Sequence, residues 1–184
     1  MKATGIVRRI DDLGRVVIPK EIRRTMRIRE GDPLEIYTDR EGEVIFKKYS
    51  PIGELTAFAS QYADTLHKTC GMAVVICDRD AVIACAGLPK KEYNDKALSD
   101  EMEGIIEGRG LYLYKDGGNR LPVIVDGNSH FISCAMPIIT EGDIVGCVAS
   151  VADASSGNAH EINAELESKL IQTAATFLGK QLET

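Results

Sequence analysis

The sequence predicts an α+β protein in two parts, a small basic head over residues 1–50 and a larger acidic body after it. Short apolar runs alternate with turn residues in the head, whereas longer apolar runs lie between amphipathic helices in the body. The head holds 12 Lys and Arg against 9 Asp and Glu, a net charge of +3, and the remainder holds 10 against 19, a net charge of −9. A basic end on an acidic body is typical of a chain that binds a polyanion at that end.

The composition is that of a globular protein, with 44% hydrophobic residues among 184. No apolar run approaches the roughly 18 residues that a membrane span needs, and the first residues lack the apolar core of a secretory signal. We therefore expect a cytoplasmic protein with no membrane partner. The histidines have no metal-ligand spacing and the cysteines form no Cys-x-x-Cys pair, so we expect no metal site and no cofactor.

Four strands and one short helix are predicted in the head. The strands are Thr4–Ile10, Arg15–Ile18, Leu34–Thr38 and Val44–Lys48, and Pro19 begins a helix that reaches Arg27. Turns at residues 11–14 and 39–42 join the strands in pairs. About 50 residues bury too little surface to be stable alone, so we expect the head to dimerise.

The predicted helix carries a basic helix face, formed by Lys20, Arg23, Arg24 and Arg27 at positions i, i+3, i+4 and i+7. Like charges at these spacings destabilise a helix by roughly 0.2–0.5 kcal/mol per pair. A polyanionic ligand is therefore the expected partner of this face. A solvated charged surface is the alternative.

Three further arginines, Arg8, Arg9 and Arg15, lie close to this helix in sequence. Guanidinium groups bind phosphate with two hydrogen bonds and can also read guanine edges, which suits a nucleic-acid partner. Acidic side chains interrupt the basic surface at Asp11, Asp12 and Glu21. They either orient the arginines by ion pairing or limit non-specific binding.

The body begins with a helix, because Ser50 is a good N-cap, Pro51 suits the first turn and Gly71 suits the C-terminus. Its apolar residues follow a heptad-like spacing that could pair with another helix: Ile52, Leu55, Ala59, Tyr62, Leu66 and Thr69.

A sheet and two further helices follow in the body. The predicted strands are 73–77, 82–85, 111–114, 121–125, 130–139 and 144–151, the last two joined as a hairpin. The predicted helices are about 94–107 and about 160–182. The second has one apolar stripe: Leu166, Leu170, Ala174, Phe177, Leu178 and Leu182. We expect an antiparallel sheet flanked by its first and last helices.

The head resembles the AbrB-type DNA-binding domain through residues 4–9, the run from Asp12 to Pro19, residues 22–25 and residues 34–37. This resemblance implies a swapped-hairpin β-barrel, in which hairpins exchange between two chains, and DNA contacts by Arg8, Arg15, Arg23 and Arg24. The body is similar to a GAF domain in the order and size of its elements. The domains expected are thus an AbrB-like DNA-binding and dimerisation domain over 1–50, a connecting helix over 51–71 and a GAF-like domain over 72–184.

The resemblance implies a regulator of transcription, both activator and repressor, of the kind that spore-forming bacteria use in the forespore. Its partners would be double-stranded DNA and further copies of itself, with dimers joined into a homotetramer by the first and last helices of the GAF-like domain. The resemblance thus implies a protein that associates with the nucleoid and is not an enzyme. Candidate DNA-binding residues are Arg8, Arg9, Arg15, Lys20, Arg23, Arg24 and Arg27.

A GAF fold commonly holds a small ligand between its sheet and the covering loops, which here are residues 87–94 and 108–116. The resemblance does not identify that ligand. Two other functions stay open. One is a GAF-type thiol redox enzyme or sensor, using Cys85, Cys134 or Cys147, although small buried side chains are the simpler interpretation of these cysteines. The other is an antitoxin of a toxin–antitoxin pair, because related heads occur in such proteins.

Overall fold

The computed structural model describes residues 4–127, 129–155 and 163–183. The chain divides into two compact units, Met1–Tyr49 and Ser50–Thr184, which correspond to the head and the body.

The head contains one short helix and one hairpin. Helix α1 spans Lys20–Thr25, and the antiparallel strands β1 (Leu34–Thr38) and β2 (Val44–Lys48) pair with Leu34 opposite Lys48. Between the strands, the Asp39 carboxylate accepts hydrogen bonds from the backbone N–H groups of Glu41 and Glu43. The predicted hairpin is confirmed.

Within the single chain, the two segments predicted as strands before the helix, Thr4–Ile10 and Arg15–Ile18, form no strand. Their apolar side chains are largely exposed: Val7 is 85% exposed, and Ile10 and Val17 are each 71% exposed. A strand needs a partner for its backbone groups and a surface on which to bury alternate side chains. The head of one chain supplies neither to these segments.

The body contains a five-stranded antiparallel sheet in the order β4-β3-β7-β6-β5. Its strands are β3 (Ala73–Cys77), β4 (Val82–Ala86), β5 (Tyr112–Leu113), β6 (His130–Thr140) and β7 (Asp143–Asp153). Its helices are α2 (Pro51–Glu54), α3 (Thr56–Cys70), α4 (Lys90–Tyr93), α5 (Asp100–Glu107) and α6 (Ala164–Gln181). The predicted β6–β7 hairpin is confirmed.

Two apolar layers cover the two faces of this sheet. On one face, Ile52 of α2, Leu66 of α3 and Leu178 of α6 pack against alternate residues of the strands. On the other face, Tyr93 of α4 and Met102 of α5 pack with the intervening loops. The predicted placement of the first and last helices on the sheet is confirmed.

Several boundaries in the body differ from the sequence prediction for local reasons. The first helix is broken at Leu55, although the predicted cap is present, since Ser50 Oγ accepts a hydrogen bond from the Gly53 N–H at 3.2 Å. Helix α5 begins only at Asp100, because Ser99 Oγ accepts from the Met102 N–H at 3.1 Å and caps it there.

Two further differences concern the segments next to the sheet. Residues 121–125 form no strand, and only Ile124 makes a bridge, to Leu98. The predicted start of the last helix at His160 lies outside the described residues, and the described helix is capped by Asn163, whose side chain accepts from the Glu165 N–H at 2.9 Å. Helix α6 approaches β6 closely at Gly179, where an added Cβ would lie 2.5 Å from the Ile139 carbonyl oxygen.

Candidate nucleic-acid interface

Helix α1 brings three predicted site residues onto one face. Pro19 precedes its first residue, and Lys20, Arg23 and Arg24 follow at i, i+3 and i+4. Lys20 and Arg24 are exposed, whereas Arg23 is half-buried. The Arg23 Nε is buried and has no hydrogen-bond partner among the residues that the structure describes. Lys20 and Arg24 thus present their charges to solvent on this face.

Arg27 is not part of the basic helix face, and its predicted i+7 position on the helix is wrong. The helix ends at Thr25, and Arg27 adopts a left-handed conformation with φ of 51°. The Arg27 N–H donates to the Arg24 carbonyl at 3.3 Å, and the Ile28 N–H donates to the Arg23 carbonyl at 2.7 Å. This pair of bonds is a Schellman cap. A residue other than glycine at this position gives little sequence signal that the helix stops.

The Asp11 turn, residues 11–15, holds Arg15 in place. One carboxylate oxygen of Asp11 accepts from the backbone N–H groups of Leu13 at 3.0 Å and Arg15 at 2.8 Å. The other oxygen accepts from Arg15 Nε at 2.7 Å. The hydrogen bonds from the Arg15 backbone and side chain lower the pKa of Asp11, so the carboxylate stays ionised at neutral pH. Gly14 closes the turn with φ of 76°, which favours glycine.

Arg8 and Arg9 lie in the exposed segment before this turn. Their contacts with DNA, like those of the other predicted residues, stay a prediction.

Two lysines at the end of β2 are engaged within the head. Lys48 Nζ donates to the Arg27 carbonyl at 2.8 Å and lies 3.7 Å from the Asp32 carboxylate. Asp32 also accepts from the Arg29 N–H at 2.8 Å. Lys47 Nζ lies 4.4 Å from the centre of the Tyr37 ring. The sequence did not identify Asp32, whose nearly buried carboxylate helps join the hairpin to the segment that follows α1.

The head of a single chain has no apolar core. Among residues 4–49, Pro19 is the one buried residue. The exposed large hydrophobic side chains are Ile6, Val7, Ile10, Leu13, Val16, Val17, Met26, Ile36, Tyr37, Val44, Phe46 and Tyr49. So much exposed apolar surface on one small unit marks a protein interface.

The cysteines of the body are packed as small apolar side chains. Cys77, Cys85, Cys134 and Cys147 are buried, and Cys70 is half-buried. Burial raises the pKa of Cys85 and raises that of Cys134 to about 12, and burial with the neighbouring Cys147 raises the pKa of Cys77 well above its ordinary value. These three thiols are therefore neutral at physiological pH and are poor nucleophiles.

The region between the sheet and helices α4 and α5 is filled by buried apolar side chains, including Leu98, Met102 and Ile106. Tyr93 Oη lies 3.0 Å from Nδ1 of His130, and burial raises the pKa of Tyr93 to about 12. In the described residues, no group of three or more His, Cys, Asp or Glu side chains is arranged to hold a metal ion. None of the helices described there combines the length and apolarity required to cross a membrane.

An aromatic cluster lies on the outer side of helices α3 and α6. The rings of Tyr62 and Phe177 stack with centroids 5.7 Å apart, and the Phe58 ring lies 5.9 Å from Phe177. Phe177 is 40% exposed and Leu166 is 52% exposed. Phe177 is thus the exposed edge of this aromatic cluster, whose Phe58 and Tyr62 rings also pack against the core.

Comparison with known proteins relates both parts of the chain to regulators. A family model described as "Stage V sporulation protein T C-terminal, transcription factor" matches residues 54–183, and one described as "Antidote-toxin recognition MazE, bacterial antitoxin" matches residues 7–53. Stage V sporulation protein T of Bacillus subtilis is 51% identical, across 100% of this chain and 99% of its own length. The transition state regulatory protein AbrB of the same organism is 65% identical over 51 residues, which are 28% of this chain and 52% of AbrB.

A GAF domain/HD domain protein from Geobacter sulfurreducens has a similar solved structure. Its TM-score is 0.50 at 13% identity, and the match covers 74% of this chain and 99% of that chain. At this identity the likeness shows the fold alone, and it agrees with the predicted GAF-like architecture.

Proposed function

The chain belongs to the stage V sporulation protein T family, and from that premise we propose that it regulates the transcription of sporulation genes by binding double-stranded DNA. It acts as both activator and repressor, in the cytoplasm of the forespore and in association with the nucleoid. The head binds DNA through Arg8, Arg9, Arg15, Lys20, Arg23, Arg24 and Arg27, and the body modulates that binding.

One observation carries the proposal, the coincidence of the AbrB-like match with the basic residues. Residues 1–50 have a net charge of +3, although the whole chain has a net charge of −6, and a segment of 51 residues, 28% of this chain, is 65% identical to AbrB. Helix α1 and the Asp11 turn present exposed arginines within that segment. Arginines of this kind neutralise phosphates and can discriminate bases.

The two other functions are not favoured. The antitoxin model matches only residues 7–53, whereas the model described as a transcription factor matches residues 54–183. A thiol enzyme needs a thiolate, and the raised pKa values of Cys77, Cys85 and Cys134 oppose its formation.

Self-association of the head follows from its exposed apolar side chains. A second copy would cover Val7, Ile10 and Val17 and would provide the partner that residues 4–10 and 15–18 lack as strands. The exchanged dimer would then present two copies of each arginine to one DNA site.

A second interface joins dimers into a homotetramer through the aromatic cluster on α3 and α6. Phe177→Glu is expected to halve the molar mass of the wild-type tetramer, because a carboxylate cannot be buried unpaired among Phe58, Tyr62 and the same aromatic residues of a second copy. Light scattering after gel filtration measures the mass. Leu113→Glu is the matched control, since Leu113 is an apolar residue with the same exposed fraction as Phe177, 40%, but lies on β5 and not on α3 or α6. A tetramer in both variants would contradict the proposed interface.

We also propose a small-molecule site in the body beside the loops at residues 87–94 and 108–116, which would have to open on binding, since buried apolar side chains fill the space between the sheet and α5. A screen for metabolites that raise the melting temperature tests this proposal, because a ligand of the native state must stabilise it.

Titration of the 184-residue chain with duplex DNA tests the DNA-binding proposal. A dimer with two copies of Arg8, Arg15, Arg23 and Arg24 can neutralise about six to eight phosphates, so the affinity is expected to fall by about 1,000-fold or more between roughly 50 and 200 mM salt. Fluorescence anisotropy with a duplex selected from a random-sequence pool provides the measurement. Affinity that is weak at low salt and insensitive to salt would contradict the proposal.

A further inference from the structure

We propose that Asp11 is a positioning residue for DNA binding, which holds the Arg15 side chain by its Nε so that the two terminal nitrogens are presented to DNA. The inference rests on the proposed function, because it concerns how one arginine of the DNA-binding surface is oriented. It assigns a role in recognition to a negative charge within a basic surface.

The two oxygens of the Asp11 carboxylate accept hydrogen bonds from different groups. One oxygen shapes the backbone of the Asp11 turn through the N–H groups of Leu13 and Arg15, at 3.0 and 2.8 Å. The other oxygen faces the Arg15 side chain and accepts from Nε at 2.7 Å. The Asp11 N–H also donates to the Arg15 carbonyl at 3.0 Å, so the two residues are joined through both backbone and side chain.

The Arg15 guanidinium keeps its outer end available while Nε is engaged. Its side chain is 69% exposed, and Nε is the nitrogen that contacts Asp11. The terminal nitrogens carry four of the five N–H donors of a guanidinium. Presented end-on, they match two phosphate oxygens or the O6 and N7 acceptors of guanine.

Holding the side chain before DNA arrives reduces the ordering cost of binding. A free arginine loses rotamer freedom when it is fixed against a ligand, and a preformed ion pair has already removed part of that freedom. The Asp11 carboxylate binds the backbone of the turn through one oxygen and Arg15 Nε through the other. It therefore fixes the position of the guanidinium relative to the backbone.

Charge alone predicts the opposite effect. Asp11 is a negative group on a surface that binds a polyanion, so removing its charge should strengthen DNA binding by reducing repulsion. If Asp11 positions Arg15, removing the charge should weaken binding to a selected sequence. The sign of the effect therefore distinguishes positioning from electrostatic repulsion.

Asp11→Asn is the decisive variant. Its amide oxygen can still accept from Leu13 and Arg15 backbone N–H groups, but its NH₂ group places donors against the Arg15 Nε. Asp12→Asn is the matched control, because Asp12 is adjacent and exposed, and its carboxylate makes no hydrogen bond or ion pair with residues in the described part of the chain. Both variants remove one negative charge per chain.

We expect Asp11→Asn to raise the Kd for a selected duplex by roughly 5-fold relative to Asp12→Asn, since an exposed ion pair is modest but acts twice in a dimer. The Kd values of the two variants for a random-sequence duplex should be equal. In an Arg15→Ala background, Asp11→Asn should cause no further weakening. Equal or tighter binding of the selected duplex by Asp11→Asn, or an undiminished loss in the Arg15→Ala background, would overturn the proposal.

Arg15→Lys gives a second measurement that does not depend on the folding of the Asp11 variant. Lysine keeps the charge but has no second nitrogen to present once its ammonium pairs with Asp11. It should lose affinity for the selected duplex as Arg15→Ala does, and wild-type affinity in Arg15→Lys would refute the positioning role. If wild-type protein bound no DNA, the proposed function itself would fail, whereas normal wild-type binding with no Asp11 effect would remove only this inference.

Discussion

The double variant Arg23→Ala, Arg24→Ala is expected to lose sequence-selective DNA binding, with the Kd for a selected duplex rising by about 100-fold or more. Each arginine that makes a bidentate base or phosphate contact contributes about 1–3 kcal/mol, and an exchanged dimer carries each of them twice. Arg24 is exposed on α1, and Arg23 has a buried Nε without an acceptor in the described residues. Fluorescence anisotropy at one fixed salt concentration measures the change.

Arg40→Ala provides the control for loss of one positive charge from the head. Arg40 is exposed in the turn between β1 and β2 and is not among the proposed DNA-binding residues. Its replacement should alter the Kd by no more than about 3-fold, because an exposed charge outside the contact surface is screened by salt. Equal losses in Arg40→Ala and in the single Arg23 and Arg24 variants would mean that only net charge matters, which would contradict the assigned surface.

In the body, the elements predicted correctly are those marked by capping residues or by apolar runs that are buried in the structure. Ser50 and Pro51 begin α2 and Gly71 ends α3 with φ of 67°, because caps depend on one or two residues. The apolar runs of β3 and β7 were found because both faces of these strands are covered. Ser99 was missed as a cap since Leu98, directly before it, stands at i, i+4 from Met102 and so fits the same helix.

The conformation of the two segments predicted as strands at the start of the head is not determined by a single chain. Residues 4–10 and 15–18 have the composition of strands, yet their apolar side chains are exposed in the single chain. Their conformation depends on a surface that is not part of the same molecule. The sequence pattern shows that these residues tend to form strands. It does not show whether the strands that pair with them belong to the same chain or to a second copy.

In the candidate site, too, some residues could be placed from the sequence pattern, whereas the positions of others depended on local backbone geometry. The spacing of Lys20, Arg23 and Arg24 gave their shared face correctly, because helix geometry fixes it. Arg27 was misplaced since a Schellman cap without glycine leaves no clear sequence mark. Ion pairing by an acidic residue was one of two open interpretations, and the distance from Asp11 to Arg15 Nε favours it for that pair.

The second large effect is expected in the body, where Gly146→Ala should lower the free energy of unfolding by about 3 kcal/mol or more. Gly146 is buried in β7, and an added Cβ would overlap the carbonyl oxygen of Cys77 and lie 3.3 Å from the Cα of Asp78. Both contacts are with backbone, so no side chain can rotate away to make room. Relief would require β3 and β7 to separate at the centre of the sheet, where Cys77 pairs with Cys147. Urea denaturation followed by circular dichroism measures the loss.

Gly104→Ala is the matched substitution with the opposite expected sign. Gly104 lies in α5, and an added Cβ there would meet no atom within 4 Å apart from the neighbouring backbone of its own helix. Alanine should stabilise the body by about 0.5–1 kcal/mol, since it lowers the entropy of the unfolded chain and favours the helix. Two identical glycine-to-alanine changes therefore separate chain entropy from steric overlap. An unfolding midpoint for Gly146→Ala at or above that of wild type would show that the sheet yields at this position, and the close approach of β7 to β3 would then have no role in stability.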